Sequence, residues 1–157
     1  MMVVCPIFLY ALTLLSVALY SRHNGRPTMI SEIYYGTGRS LVMPATLIAL
    51  ALSFLPIMLD LGGQQWLAFL TCMGLAFVGA APTYLSQGER SVHKGAAILA
   101  AIAGTLWCMT MEPCVVAVAA LMAVIATLTD RRCWLFWCEI CAMTAVLATV
   151  MIKALAP

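Results

Sequence analysis

The side chains best suited to chemistry lie in one polar segment, residues 21–40, which has the sequence SRHNGRPTMISEIYYGTGRS. Guanidinium and tyrosine hydroxyl groups suit phosphate oxygens, and glycines let backbone N–H groups approach an anion. Long ordered loops between helices are often functional. The segment therefore predicts a ligand-binding site, and the alternative is a basic loop that rests on anionic lipid headgroups. The candidate ligand-binding residues are Ser31, Glu32, Tyr35 and Arg39.

His93 is a further candidate, in the sequence SVHKGAA at the start of a later apolar segment. A histidine beside a carboxylate can relay protons or bind a metal. If the polar segment folds under the helices, His93 meets Ser31, Glu32 or Tyr35 on the same face. The alternative is an interfacial side chain with an ordinary hydrogen bond. Because the chain has two histidines, a zinc hydrolase with several histidine ligands is disfavoured.

Two carboxylates lie in or beside apolar segments. Glu139 lies within the last of them, where an acidic residue is costly, faces the protein interior and is paired. Arg131 or Arg132 could reach it by snorkelling, and the alternative is contact with an ion, a proton or a substrate. Asp60 lies at the outer end of its segment, where we expect headgroups or water around it.

The chain has seven cysteines and eleven methionines. Residues 108–114, CMTMEPC, offer soft ligands that suit Cu(I), and Cys138 and Cys141 share a helical face. The same residue types are adaptable apolar side chains in buried helices. We favour this packing role and predict no metal and no cofactor. An odd number of cysteines argues against a complete disulfide framework, although Cys108 and Cys114 could pair.

Apolar helices must position these residues, because the chain is 64% hydrophobic and 9% charged, with a mean hydropathy of +1.04. A hydrocarbon layer about 30 Å thick needs roughly 20 apolar helical residues. The apolar segments do not alternate with polar residues as barrel strands do. The sequence predicts an all-α integral membrane bundle in one domain. Its six predicted spans are residues 3–20, 41–61, 66–85, 95–111, 113–129 and 134–153.

The break at Glu112–Pro113 decides the count of spans. Proline cannot continue a helix, and one helix over residues 95–129 would be about 52 Å long, which is too long for the membrane. With six spans the basic gaps share one face, which we assign to the cytoplasm. Both termini are then expected on the outer face of an inner membrane. The cations on the basic face are Arg22, Arg26, Arg39, Arg90, Lys94, Arg131 and Arg132.

Small and aromatic residues complete the predicted bundle. Small residues at helical spacing favour close helix contacts, and the fourth span carries such a face at Ala96, Ala100 and Gly104. Indole rings favour the headgroup region. The tryptophans near predicted span ends are Trp66, Trp107, Trp134 and Trp137.

Three short motifs are typical of one group of membrane proteins. Residues 31–35, SEIYY, are followed by Arg39 at the opening of the second span. Residues 76–80, AFVGA, are followed by Pro82 late in the third span. His93 opens the fourth span.

Over roughly residues 31–108 the chain resembles small bacterial six-helix membrane proteins that are similar to the Frag/DRAM-like family. The resemblance implies a six-helix bundle and no agreed activity. The residues that it implies to form one cluster are Ser31, Tyr35, Arg39 and His93.

The leading functional prediction is a non-enzymatic bundle that binds a lipid headgroup or another small anionic ligand at the cytoplasmic-side polar cluster. Membrane lipids are then its partners, a homo-oligomer is possible, and nucleic acid is excluded because the chain has no polar domain. One alternative is an oligomeric channel or permeability-altering effector with Glu139 or Asp60 lining a pore. A second alternative is an intramembrane enzyme that uses His93 with Ser31 or Glu32.

Overall fold

Helices account for most of the fold. The computed structural model describes residues 3–30, 32–36, 41–80 and 87–155, without the side chains of residues 35, 36 and 87–91. The described part confirms the all-α prediction. A short 3₁₀ turn, Arg131–Cys133, precedes the last helix. The helices are α1 (Val4–Asn24), α2 (Glu32–Gly36), α3 (Val42–Asp60), α4 (Gln65–Ala80), α5 (Gln87–Met111), α6 (Pro113–Thr129) and α7 (Trp134–Leu155).

Four of the helical stretches are long and apolar enough to cross a membrane. Two shorter apolar helices, α4 and α6, lie between them in the chain. The surface carries many large apolar side chains, which is typical of a protein surrounded by lipid. The four long stretches are Val4–Asn24, Val42–Asp60, Val92–Met111 and Arg131–Leu155.

The predicted helix break at Glu112–Pro113 is confirmed, and a glycine pair forms a second tight turn. Gly62 and Gly63 follow α3 with φ values of 83° and 76°, which L side chains rarely adopt. Pro113 occupies the first turn of α6 directly after the end of α5, where its missing N–H costs little. Each turn therefore reverses the chain within a few residues.

Two predicted boundaries are wrong. α1 continues beyond Tyr20 to Asn24, so part of the polar segment is helical. α5 begins at Gln87 rather than near residue 95, so His93 lies inside a helix instead of at its mouth. Polar residues such as arginine, lysine and glutamate have good helix propensity, so α1 continues until Gly25, while α5 tolerates Gly88 in its first turn.

Glycines bring α4 close to both of its neighbours. A Cβ atom on Gly74 would lie 2.9 Å from the Ala96 carbonyl oxygen and 2.8 Å from the Ala100 nitrogen on α5. A Cβ atom on Gly79 would lie 2.9 Å from the Pro44 carbonyl oxygen on α3. The predicted small-residue face of the fourth span is thereby confirmed as a helix contact, and α4 lies between α3 and α5.

The remaining helices pack around this layer. α7 contacts α5 and α6, and α1 contacts α3. The hydroxyl groups of Tyr10 on α1 and Thr144 on α7 are 2.6 Å apart. Lys153 near the end of α7 forms an ion pair of 2.7 Å with Glu112 at the turn between α5 and α6.

Trp107 corrects one prediction about the membrane interface. Its side chain is 0% exposed and belongs to the main apolar core, so it does not lie among headgroups. The indole faces the turn after α3, where Gly63 has no side chain to occupy the space; a Cβ atom there would lie 3.7 Å from the indole nitrogen. Trp66 and Trp134 are exposed, as predicted.

Candidate functional site

A cavity of about 90 Å³ lies among α3, α4, α5 and α7. Small and apolar side chains make up most of its wall, including Ala97, Gly104 and Ala142. Besides the Cys72 thiol, two ionisable groups, His93 and Glu139, also line it. Because each belongs to the first half of its helix, both lie toward the end of the cavity that faces the arginine-bearing turns. The result is a small apolar cavity with polar groups toward one end, a lining that resembles that of ligand pockets although its volume is below their usual range of about 300–1,000 Å³.

Glu139 is held by the backbone of the polar segment. The Ile30 N–H donates to Glu139 Oε2 at 2.7 Å, and Ile30 is only 5% exposed. One turn earlier, the Phe136 N–H donates to the Thr28 carbonyl at 3.1 Å, which satisfies a donor that the start of α7 leaves unpaired. These two bonds attach the polar segment to the first turns of α7.

Of the two alternatives for Glu139, pairing with Arg131 or Arg132 is not what the structure has, because a backbone N–H is its partner. Both arginines are exposed at the start of α7, whereas the Glu139 side chain faces the cavity. A carboxylate removed from water needs a hydrogen-bond donor, and here a backbone N–H supplies it. Glu139 was correctly predicted to face the protein interior and to be paired.

Glu32 has a local role in the polar segment. Its Oε2 atom accepts hydrogen bonds from the Thr28 backbone N–H at 2.6 Å and from the Thr28 hydroxyl at 2.9 Å. These bonds shape the turn that leads into α2, so this carboxylate oxygen is already occupied. The arrangement gives no support to Glu32 as a catalytic partner of His93.

His93 on α5 lines the cavity. The sequence indicated His93 and Glu139 separately and missed that they share a cavity. A signal existed, since both residues follow basic gaps that were assigned to the same face of the membrane. Ser31, Arg39 and the side chain of Tyr35 lie outside the described residues, so the predicted cluster around His93 stays a prediction.

A second polar contact, which the sequence did not indicate, lies where the polar segment meets the turn between α6 and α7. Arg26 Nη1 lies 3.2 Å from Asp130 Oδ2, and the Arg26 guanidinium carbon lies 5.8 Å from the centre of the Trp137 ring. A cation within about 6 Å of an indole centre is attracted by the ring. These contacts fix the Arg26 side chain even though it is 62% exposed.

Asp60, the other predicted intramembrane carboxylate, is exposed at the end of α3, as expected. The channel alternative required Glu139 or Asp60 to line a pore between subunits. Glu139 instead contacts Ile30 within one chain, which removes the particular reason for assigning it to such a pore.

The sulfur-containing side chains pack as apolar residues. All seven cysteines fall within the described residues and each is a free thiol. Cys108 is buried in the core whereas Cys114 is exposed on α6, so the disulfide that the spacing allowed is not formed. Cys72 Sγ lies 3.8 Å from Met58 Sδ in the core. Within the described ranges, no group of three or more histidine, cysteine or carboxylate side chains is placed to hold a metal ion.

Comparison with protein-family models, curated proteins and solved structures finds no match to this chain. The resemblance to the Frag/DRAM-like family therefore stays a prediction. The candidate site has to be judged by its own geometry, in which the cavity, with His93 and Glu139 in its wall, is the main feature.

Proposed function

We propose that all six apolar helices cross the membrane. Gly63, just before α4, lies beside Met111 at the end of α5, whereas Gly79 lies beside Pro44 at the start of α3. α4 therefore covers the same depth as the two long helices that it separates. If α4 did not cross, α5 would begin at the membrane face where α3 ends, and α3 and α5 would run in opposite directions. In the structure α4 is instead antiparallel to both of them.

α6 supports the same topology. It has 17 residues, which is at the lower limit for a spanning helix, and slight thinning of the bilayer accommodates a short helix at modest cost. The ion pair of Glu112 with Lys153 lies at one end of α6 and α7, and that of Arg26 with Asp130 lies at the other. The two helices therefore extend together from one side of the bundle to the other.

The arrangement of charge supports an inner-membrane protein with both termini outside. Arg22, Arg26, Arg131 and Arg132 lie at the end of the bundle where α1 ends and α7 begins. Basic residues in short loops stay in the cytoplasm. Fusions of alkaline phosphatase after Glu112 and after Leu155 and of green fluorescent protein after Asp130 test this topology: each reporter should be active. An inactive phosphatase after Glu112 would contradict the crossing of α4 and α6, and an inactive phosphatase after Leu155 would contradict the crossing of α7.

We further propose that the protein binds an amphiphilic membrane molecule without transforming it. The observation that carries this proposal is the apolar cavity whose wall includes His93 and Glu139. The cavity of about 90 Å³ is smaller than one that binds benzene, about 150 Å³, so only a short apolar segment of the ligand would enter it. The polar end of the ligand would lie beside the histidine and the carboxylate. An anionic headgroup, as the sequence suggested, would additionally need the arginines of the basic face, because Glu139 itself repels an anion.

Filling the cavity tests this proposal. The Ala142→Leu variant adds three carbon atoms to the cavity wall, and Ala120→Leu makes the same change on the exposed side of α6 as a control. Organic extraction of the purified proteins followed by mass spectrometry identifies co-purifying amphiphiles. We expect the cavity variant to lose a bound molecule that both the wild type and the control retain.

The His93→Leu variant then tests the polar end of the cavity. It should release the same molecule, while His93→Gln, which keeps a hydrogen-bonding group, should retain part of it. Equal amounts of every extracted lipid in the wild type and in both the cavity and histidine variants would contradict the proposal.

A further inference from the structure

A second, larger groove lies on the surface between α6 and α7. Its volume is about 490 Å³, and nearly all of its wall is apolar. α6 contributes Val118, Met122 and Ala126, and α7 contributes Ile140 and Ala148. Every residue of α6 is at least partly exposed, so the groove lies at the surface that lipid surrounds.

The groove follows most of α6. Its α6 wall runs from Cys114 to Ala126 and its α7 wall from Trp137 to Ala148, which is about 17–18 Å along each helix. One leaflet provides about half of a hydrocarbon layer that is roughly 30 Å thick. A single acyl chain that enters beside Trp137 would therefore lie in the groove and extend slightly past the middle of the membrane.

The end of the groove beside Trp137 is positively charged. Arg131 and Arg132 are exposed in the 3₁₀ turn directly before α7, and the Arg26 guanidinium lies over the Trp137 ring. Asp130 is the carboxylate paired with Arg26, so residues 26 and 130–132 contribute three cations and one anion near this end of the groove. The positive end of the α7 helix dipole lies at the same end of the groove. It repels the arginine side chains and attracts an anion.

We propose that this groove binds one anionic phospholipid from the arginine-side leaflet. One acyl chain lies between α6 and α7, and the phosphate is held by Arg131 and Arg132. Charge complementarity favours this occupant over a second copy of the chain, because two basic ends would repel each other. The site is separate from the central cavity and does not depend on the amphiphile proposed to bind there.

Native mass spectrometry of the detergent-solubilised full chain tests the charged end of the site. The probes are a phosphatidylglycerol and a phosphatidylcholine with identical acyl chains. We expect the first bound phosphatidylglycerol to bind at least ten times more tightly than phosphatidylcholine. The Arg131→Gln/Arg132→Gln variant should weaken it about 30-fold, because each arginine near an anionic surface contributes a factor of about five. The control, Arg22→Gln/Lys94→Gln, removes the same charge from exposed positions elsewhere on the basic face and should change binding less than twofold.

Filling the groove tests its apolar part. The Ala126→Leu/Ala148→Leu variant narrows the groove and should abolish the tight phosphatidylglycerol site. Ala117→Leu/Ala120→Leu, on exposed positions of α6 outside the groove, is the matched control and should retain it. Ala142→Leu in the central cavity should also retain it, so that failure of this proposal and failure of the cavity proposal are distinguishable.

Three outcomes would overturn the assignment. The first is equal affinity for the two lipids, and the second is tight binding that survives both the groove-filling and the arginine variants. The third is a dimer that the groove-filling variant dissociates, which would assign the groove to a second copy of the chain. If circular dichroism shows that the groove-filling variant fails to fold, phosphatidylglycerol binding by the Arg131→Gln/Arg132→Gln variant still tests the assignment.

Discussion

Gly74 offers the most direct test of how the bundle is packed. In the Gly74→Ala variant the new methyl carbon would lie 2.8 Å from the Ala100 nitrogen, 2.9 Å from the Ala100 Cβ atom and 2.9 Å from the Ala96 carbonyl oxygen. These are mostly backbone atoms of α5, which cannot rotate away as a flexible side chain would. The two helices would have to move apart along part of their contact.

The size of the effect follows from two opposing contributions. Overpacking of a tight contact costs about 1–3 kcal/mol, whereas replacing a glycine in a helix by alanine gains about 0.5–1 kcal/mol. Gly95→Ala gives the second contribution alone, because a methyl group at Gly95 would meet none of the described atoms within 4 Å. The difference in unfolding free energy between the two variants therefore isolates the packing cost, and we expect about 1–3 kcal/mol.

Thermal unfolding in detergent, followed by circular dichroism, measures this difference. For a chain of this size each kcal/mol corresponds to about 2–4 °C in Tm. Gly79→Ala serves as a second test, since its methyl carbon would lie 2.9 Å from the Pro44 carbonyl oxygen on α3. If Gly74→Ala and Gly79→Ala were both as stable as Gly95→Ala, the central position of α4 would be refuted.

Two further predictions concern the polar contacts. The free energy of unfolding of Glu139→Leu should be about 1–3 kcal/mol lower than that of Glu139→Gln. Both variants are uncharged, but only glutamine can still accept a hydrogen bond from the buried Ile30 N–H. Equal stability of the two variants in a denaturant titration would mean that this bond contributes nothing. Lys153→Met should lower the free energy of unfolding by at most about 1 kcal/mol at low salt, because the ion pair of Lys153 with Glu112 is partly exposed. The loss should become smaller as salt is added. A loss that is the same at high salt would contradict an electrostatic origin.

The helices were largely predictable because their signals are local. Apolar segments of bilayer length predicted where each helix lies, and the Glu112–Pro113 break correctly separated α5 from α6. Gly62 and Gly63 end α3 because glycine, unlike other residues, readily adopts the positive φ values of this turn. Boundaries in the polar regions were less accurate, since α5 begins several residues before its apolar stretch.

The contacts of the candidate site were less predictable because they join distant residues. For Glu139 the sequence left open an arginine partner or an ion, proton or substrate contact, yet its partner is the backbone of Ile30. Trp107 was expected at the membrane surface because it lies near a span end, yet the neighbouring turn leaves room for it inside the core. In both cases the partner belongs to another helix or turn, and hydropathy along the chain contains no information about it.

The polar segment and the first turns of the last helix are held together by several contacts. Arg26 contacts Asp130 in the turn before α7. The Thr28 carbonyl accepts a hydrogen bond from the first turn of α7, and the Ile30 N–H donates one to Glu139. α7 in turn supplies Glu139 to the central cavity and one wall of the surface groove. A shift of the first turns of α7 would therefore alter both proposed binding sites together, whereas a change in α6 alone would alter only the groove. Loss of the Ile30 contact in Glu139→Leu should accordingly weaken both sites, and the groove-filling variant should weaken one.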